Sequence, residues 1–279
     1  MIRKFHKVSA KCSEITTASY STSFSSAIQL LHSDLRQPIY NIYGFVRFAD
    51  EIVDTFHEFD KASLLAEFKK ETYVAIERGI SLNPILNSFQ KTVNEYNIPH
   101  ELIETFFHSM EMDLSQKTYD TTNFNEYVYG SAEVIGLMCL YVFCEGKKEA
   151  YEKLKFSARS LGAAFQKVNF LRDIKADYTG LSRMYFPGCD FNNFTEWHKK
   201  QIEADIYKDF KKAYAGILKL PLKSRFGVYV AYKYYLSLFK KIKDLEPARV
   251  LEARIRIPDY KKAMIVLRAG VKNHLGLIG

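Results

Sequence analysis

The chain has 279 residues, 47% of them hydrophobic, with only 13 Gly and 7 Pro, so it can bury a sizeable core and has little of the composition of a disordered or low-complexity protein. Its net charge of +8, from 40 basic and 32 acidic residues, suits anionic partners such as phosphates or lipid headgroups, although so mild an excess is also ordinary for a solvated surface. Cys12, Cys139, Cys144 and Cys189 form no CxxC pair, the N-terminus lacks the apolar core of a signal peptide, and no run reaches the length of a membrane span. These features predict a cytoplasmic chain with reduced cysteines.

In chain order, a polar lead-in precedes residues 16–26, where hydroxyls crowd ahead of the apolar run Ala27-Ile-Gln-Leu-Leu31. Such a cluster serves equally as a helix cap or, with free backbone N–H groups, as an anion site. Pro38 opens a helix over 39–54 in which Asp50 and Asp54 fall at i, i+4, with Arg47 one turn earlier. Amphipathic helices follow over 61–78, 85–96 and 101–113, the last ending on Asp113, which could face a shared cavity or cap a neighbour. Residues 125–144 are almost uncharged and predict a helix buried on nearly all sides; Gly130, Ser131, Ala132 and Gly136 would let a ligand or a neighbouring backbone approach.

A long helix is predicted over 147–177. Asn169, Asp173 and Asp177 are spaced i, i+4, i+8, each step turning the helix only about 40°, so three oxygen-bearing side chains share one face amid Phe165, Val168, Phe170, Leu171 and Ile174. Carboxylates on such a helix are costly unless a cation sits against them, and hard cations take oxygen ligands. Residues 178–194 read as loop. Helices over 195–218, bearing Trp197, Ile202, Ile206 and Phe210 on one side, and over 223–245 come next, before a last basic helix at 259–273. No repeat, linker or shift of composition divides the chain, so a single domain, 1–279, is expected. The 19 Tyr and 21 Phe predict either a bulky core or an aromatic-walled cavity.

Were the two acidic stripes to face one cavity, they would hold divalent cations between them, with diphosphate as the natural counter-ligand and Arg47 and Arg172 on the remaining oxygens. At this point the chain resembles the squalene/phytoene synthase family, the head-to-head trans-isoprenyl diphosphate synthases, and most of all a bacterial phytoene synthase. Asp50-Glu-Ile-Val-Asp54 is similar to the family's first aspartate motif and Asn169-Phe-Leu-Arg-Asp-Ile-Lys-Ala-Asp177 to its second; Ala18-Ser-Tyr-Ser-Thr-Ser-Phe24 and Arg183-Met-Tyr-Phe-Pro187 resemble its other signatures in order and spacing.

The resemblance implies an all-α isoprenoid-synthase bundle around a central apolar cavity. It implies condensation of two prenyl diphosphates, most simply two geranylgeranyl diphosphates to phytoene, with a C30 product from two farnesyl diphosphates as the alternative. Carried over by position, Asp50, Asp54, Asn169, Asp173 and Asp177 would bind Mg²⁺ (Mn²⁺ in its place), Ser21, Ser23, Arg47 and Arg172 would contact phosphate, and Tyr127, Gln166 and Tyr185 would line the reacting region. NADPH is not expected for the phytoene reading. The chain departs from the family pattern at Thr22, where many members carry a basic residue, and at Tyr20, where His is common. A basic helical protein that binds nucleic acid would explain the charge but not two acidic stripes, so no nucleic-acid partner is expected. A di-iron protein would need Glu-x-x-His motifs, which do not occur. A chain-elongating prenyltransferase or terpene cyclase would usually show a DDxxD-type first motif. A hydrocarbon product predicts contact with a membrane surface.

Overall fold

A computed structural model describes residues 1–116 and 118–278. Among them the regular structure is helical, with one isolated parallel bridge, between Thr118 and Met184. The helices are α1 (Ile2–Tyr20), α2 (Thr22–Gln29), α3 (Ser33–Asp54), α4 (Lys61–Arg78), α5 (Pro84–Tyr96), α6 (His100–Ser115) and α7 (Thr121–Val128). After a π-helical turn at Tyr129–Glu133 come α8 (Val134–Phe143), α9 (Lys148–Leu181), α10 (Glu196–Ile217), α11 (Leu222–Lys243), α12 (Pro247–Val250) and α13 (Asp259–His274).

Local chemistry sets many of the boundaries. Asp60 caps α4 by accepting from the Ser63 N–H at 3.1 Å, and Gly79, at φ 70°, ends it in the left-handed region that costs glycine little. Asn83 and Pro84 start α5. Thr195 and His198 cap α10 reciprocally.

Three departures from the sequence reading have physical causes. The N-terminal lead-in is the helix α1, whose buried face carries Ser9, Ser13 and Thr17 rather than apolar residues. Ser13 Oγ lies 2.6 Å from Ser88 Oγ of α5, and Asn87 donates to Ser9 at 2.9 Å, so hydroxyls replace the hydrophobic period that would have announced the helix. Helix α3 begins at Ser33, ahead of Pro38, which therefore lies inside it. Trp197 is 67% exposed at the first turn of α10, whereas Ile206 and Phe210 are buried.

The aromatic surplus divides between two uses. Phe45 of α3 stacks on Phe89 of α5 with centroids 3.8 Å apart, and Phe68, Phe106 and Phe107 close round them in a solid core. The other set walls a cavity, for which α9 is the principal side; at 34 residues it is about 51 Å long. Two glycines bring α8 and the π turn against α9. A Cβ on Gly162 would stand 2.5 Å from the Ala132 carbonyl oxygen, and one on Gly136 would stand 2.8 Å from that of Ala158. Gly136 thus admits a neighbouring backbone, one of the two uses foreseen for the small residues at 130–136.

Candidate active site

A cavity of about 420 Å³ runs between α2, α3, α8, α9, α10 and α11. Two of the helices that line it, α3 and α9, are polar at one end and apolar at the other, while α8 and α10 present only apolar or small residues. Along α3 the lining passes from Ile39 and Ile42 to Arg47 and Asp50, and along α9 from Leu154 and Leu161 to Gln166, Asn169 and Arg172. On α9 that span of 18 residues is ~27 Å. The closed end is apolar, with Leu31, Phe143, Ile217 and Leu220. Midway, Phe24 packs against Tyr43, Phe165 and Tyr235, the last two stacked at 3.9 Å, so aromatic faces meet whatever occupies the channel.

The mouth gathers the two acidic stripes. Asp50 lines the cavity itself, and its carboxyl is pushed up to about 8 by burial and then by the charge of Asp54, with Arg47 opposing. Asp177 is pushed up to about 7 by burial and then by Asp173 and by Asp54 across the mouth. The stripes of α3 and α9 therefore share one field. Asp173 is held by Arg172 (Nε–Oδ1 3.0 Å) and by Arg254 (Nε–Oδ1 2.9 Å). Asn169 accepts from the Tyr235 hydroxyl at 3.2 Å, and Gln166 donates to Ser131 at 3.3 Å, where the π turn presents that hydroxyl to the cavity. Ser21 lines the mouth while accepting from the Phe24 N–H at 3.2 Å, so it is at once a cap and a cavity hydroxyl. Of the expected site residues, Ser23, Asp54, Asp173, Asp177 and Tyr185 are not among the lining residues.

Several residues at the mouth were not singled out from the sequence as site residues. Ser182, at φ 52°, ends α9 and turns the chain back, which buries Arg183. Arg183 donates to Asp54 Oδ1 at 2.9 Å, to the Tyr185 hydroxyl at 3.2 Å and to the Asp113 carbonyl at 2.6 Å, and it lies 3.5 Å from Asp113 Oδ1. Asp113 accepts from the hydroxyls of Tyr127 (2.6 Å) and Tyr119 (3.1 Å). Burial nonetheless pushes its carboxyl up to about 7, with Arg183 opposing. Tyr127 and Tyr185 sit 5.2 Å apart, and their phenols are raised well above the usual range by burial and the Asp113 charge. Asp113 does not line the cavity: it is buried against Tyr119, Tyr127 and Arg183, and reaches the first acidic stripe only through Arg183. The sequence signal for Arg183 was its place in a recognisable signature, and for Asp113 an acid among apolar neighbours.

The departures at Tyr20 and Thr22 acquire partners. The Arg47 guanidinium lies over the Tyr20 ring at 4.3 Å, and Lys262 of α13 donates to Thr22 Oγ1 at 3.1 Å, bringing a basic group to this position from elsewhere in the chain.

The donor set fits a hard cation. Asp50, Glu51, Asp54, Asp113, Asp173 and Asp177 outnumber the guanidinium groups of Arg47, Arg172, Arg183 and Arg254 that meet them, and burial, then mutual repulsion, raises Asp50 and Asp177. Among the described residues no three carboxylates, cysteines or histidines already cluster closely enough to hold an ion. Arg47 Nε is buried with no hydrogen-bond partner among those residues, as a group awaiting an anionic oxygen would be.

Comparison with known proteins agrees with this geometry. A phytoene synthase from Arthrospira platensis is 27% identical over 91% of this chain and 89% of its own length. A presqualene diphosphate synthase from Rhodopseudomonas palustris is 28% identical over 60% of this chain, and the chain spans only 58% of that relative. The fold matches that of a crystallised dehydrosqualene synthase with a TM-score of 0.82, at 18% identity, over 97% of this chain and 98% of that one. The sequence profile described as "Squalene/phytoene synthase" matches residues 17–261, and the chain belongs to that family.

Proposed function

We propose that this chain condenses two prenyl diphosphates head to head, joining two geranylgeranyl diphosphates through a cyclopropyl (prephytoene) diphosphate to phytoene. The observation that carries the reading is a single channel with an ionic mouth and an apolar, aromatic depth. The near full-length similarity to a phytoene synthase supports the C40 product. Similarity to a presqualene diphosphate synthase supports the second reading as far as the joining of two farnesyl diphosphates to a C30 skeleton.

Asp50, Asp54, Asn169, Asp173 and Asp177 would hold Mg²⁺, or Mn²⁺ in its place, which when bound supplies positive charge to the departing diphosphate. Arg47, Arg172 and Ser21 are the protein's own donors toward the phosphate oxygens. Heterolysis of the allylic C–O bond leaves the electron pair on the diphosphate and a cation on the prenyl chain. Charge must then be dense at the mouth and absent along the channel, as it is between Val46 and Leu31. The rings of Phe24, Phe165 and Tyr235 meet the cation with π faces, which stabilise it without forming a bond, and the closed apolar end excludes water. Tyr127 and Tyr185 stay protonated, so their oxygens present neutral dipoles rather than nucleophilic phenolates.

The test is incubation of purified protein with Mg²⁺ and either farnesyl or geranylgeranyl diphosphate, with and without NADPH, followed by extraction and mass spectrometry of the hydrocarbon. A C40 product without NADPH is expected. A C30 product alone transfers the assignment to the second reading, and no hydrocarbon from either substrate refutes both. Asp50→Ala and Asp173→Ala should each abolish turnover with the helical circular dichroism unchanged; near-normal product from either at saturating Mg²⁺ would remove these residues from the site.

A further inference from the structure

Helix α13 carries two apolar faces, and the channel uses neither. Ile265, Val266 and Ala269 turn inward, and α13 packs against α11. Tyr260, Met264, Leu267 and Val271 turn outward, at exposures of 62%, 40%, 69% and 54%. Their spacing of i, i+4, i+7, i+11 holds them within a band of about 60° on the helix surface. Leu275 and Leu277, each 63% exposed, extend the apolar surface beyond the helix. One flank of the band carries Lys261, Arg268 and Lys272, all exposed. The acid of this helix, Asp259, lies at its first turn and pairs with Lys262 at 3.0 Å. Lys233 of α11 adds to the same positive field, its ammonium held below the usual value by burial and then by Lys272 and Lys240.

We propose that the outer face of α13 is a docking surface for an anionic phospholipid bilayer. An exposed apolar stripe beside a row of cations is the pattern by which a helix lies in the headgroup region, with its apolar side chains in the acyl boundary and its cations against lipid phosphate. Charge decides between occupants. An antiparallel two-fold pairing of this face with itself would set Lys261, Arg268 and Lys272 of one copy against the same residues of another, whereas anionic headgroups neutralise them. The family profile ends at residue 261, so most of this helix lies outside the matched region. The docked face is tied to the catalytic mouth through Lys262, whose ammonium reaches Thr22 beside Ser21 at the cavity rim. The inference does not depend on which prenyl chain is used.

The experiment is co-sedimentation of the full chain with vesicles of phosphatidylcholine alone or mixed in equal parts with phosphatidylglycerol, in about 0.1 M salt, where surface charges act over about 10 Å. Binding to the mixed vesicles and little to phosphatidylcholine alone is expected. Leu267→Glu/Val271→Glu should lose that binding. Lys261→Gln/Arg268→Gln/Lys272→Gln should weaken it about tenfold or more. Both variants should keep the thermal midpoint of the parent and its turnover of detergent-dispersed substrate. As a readout on the unaltered protein, mixed vesicles should slow acylation of Lys261 and Lys272 by an amine reagent. No binding of the parent protein, equal binding by Leu267→Glu/Val271→Glu, or unslowed acylation would overturn the proposal. So would a dimer of the parent chain that Leu267→Glu/Val271→Glu dissociates, which would give this face to a second copy.

Discussion

Replacing Arg183 by Met removes the buried cation that joins the first acidic stripe to Asp113. Arg183 is 5% exposed and Asp113 7%, and the guanidinium touches Asp54, Tyr185 and the Asp113 carbonyl while lying 3.5 Å from its carboxylate. Methionine fills similar volume, so the loss is chiefly electrostatic: two carboxylates, one of them buried, are left facing each other. Breaking a buried ion pair by removing one partner costs about 3–5 kcal/mol. With an unfolding entropy of about 2.1 cal/mol/K per residue, a chain of this length should lose about 5–9 °C of thermal midpoint. The assay is thermal unfolding at pH 8, where Asp113 in the parent protein is mostly ionised. Asp113→Asn removes the stranded charge, so Asp113→Asn/Arg183→Met should be more stable than the sum of the single losses by about 1–3 kcal/mol. A midpoint for Arg183→Met within about 2 °C of the parent, or strict additivity in the double variant, would refute the view that this pair holds the mouth together.

Two other expectations address the mouth and the depth of the channel. Asp50 rises from 3.8 to about 8, and Asp113 and Asp177 rise to about 7. The folded state therefore holds more protons than the unfolded chain between those values, and stability should fall as pH rises from about 4 to about 8. The thermal midpoint without metal should be lower at pH 8 than at pH 5, and Mg²⁺ with inorganic diphosphate should recover it at pH 8; a rise from pH 5 to pH 8 without metal contradicts the burial argument. Phe143→Ala opens the closed end, so the ratio of geranylgeranyl to farnesyl diphosphate consumed should increase, as competing-substrate turnover would report; an unchanged ratio means that chain length is sensed elsewhere.

The sequence by itself determined the helical class and the composition of each acidic stripe, because helical spacing is local. Asp50 with Asp54, and Asn169 with Asp173 and Asp177, share faces by virtue of a 3.6-residue turn, whatever surrounds them. The hydroxyl-faced α1 was not legible, since its buried side bonds to α5 instead of following a hydrophobic period. Nor could Arg183 be placed: its partners Asp54 and Asp113 are 129 and 70 residues away along the chain, and only the left-handed turn at Ser182 folds it back between them. Whether Asp113 caps a helix or faces the mouth, and whether aromatic rings fill a core or wall a channel, depends on which helices meet. Close contacts such as Gly162 on Ala132 join separate helices, and tertiary structure alone decided that Asp50 of α3 and Asn169 of α9 line one cavity.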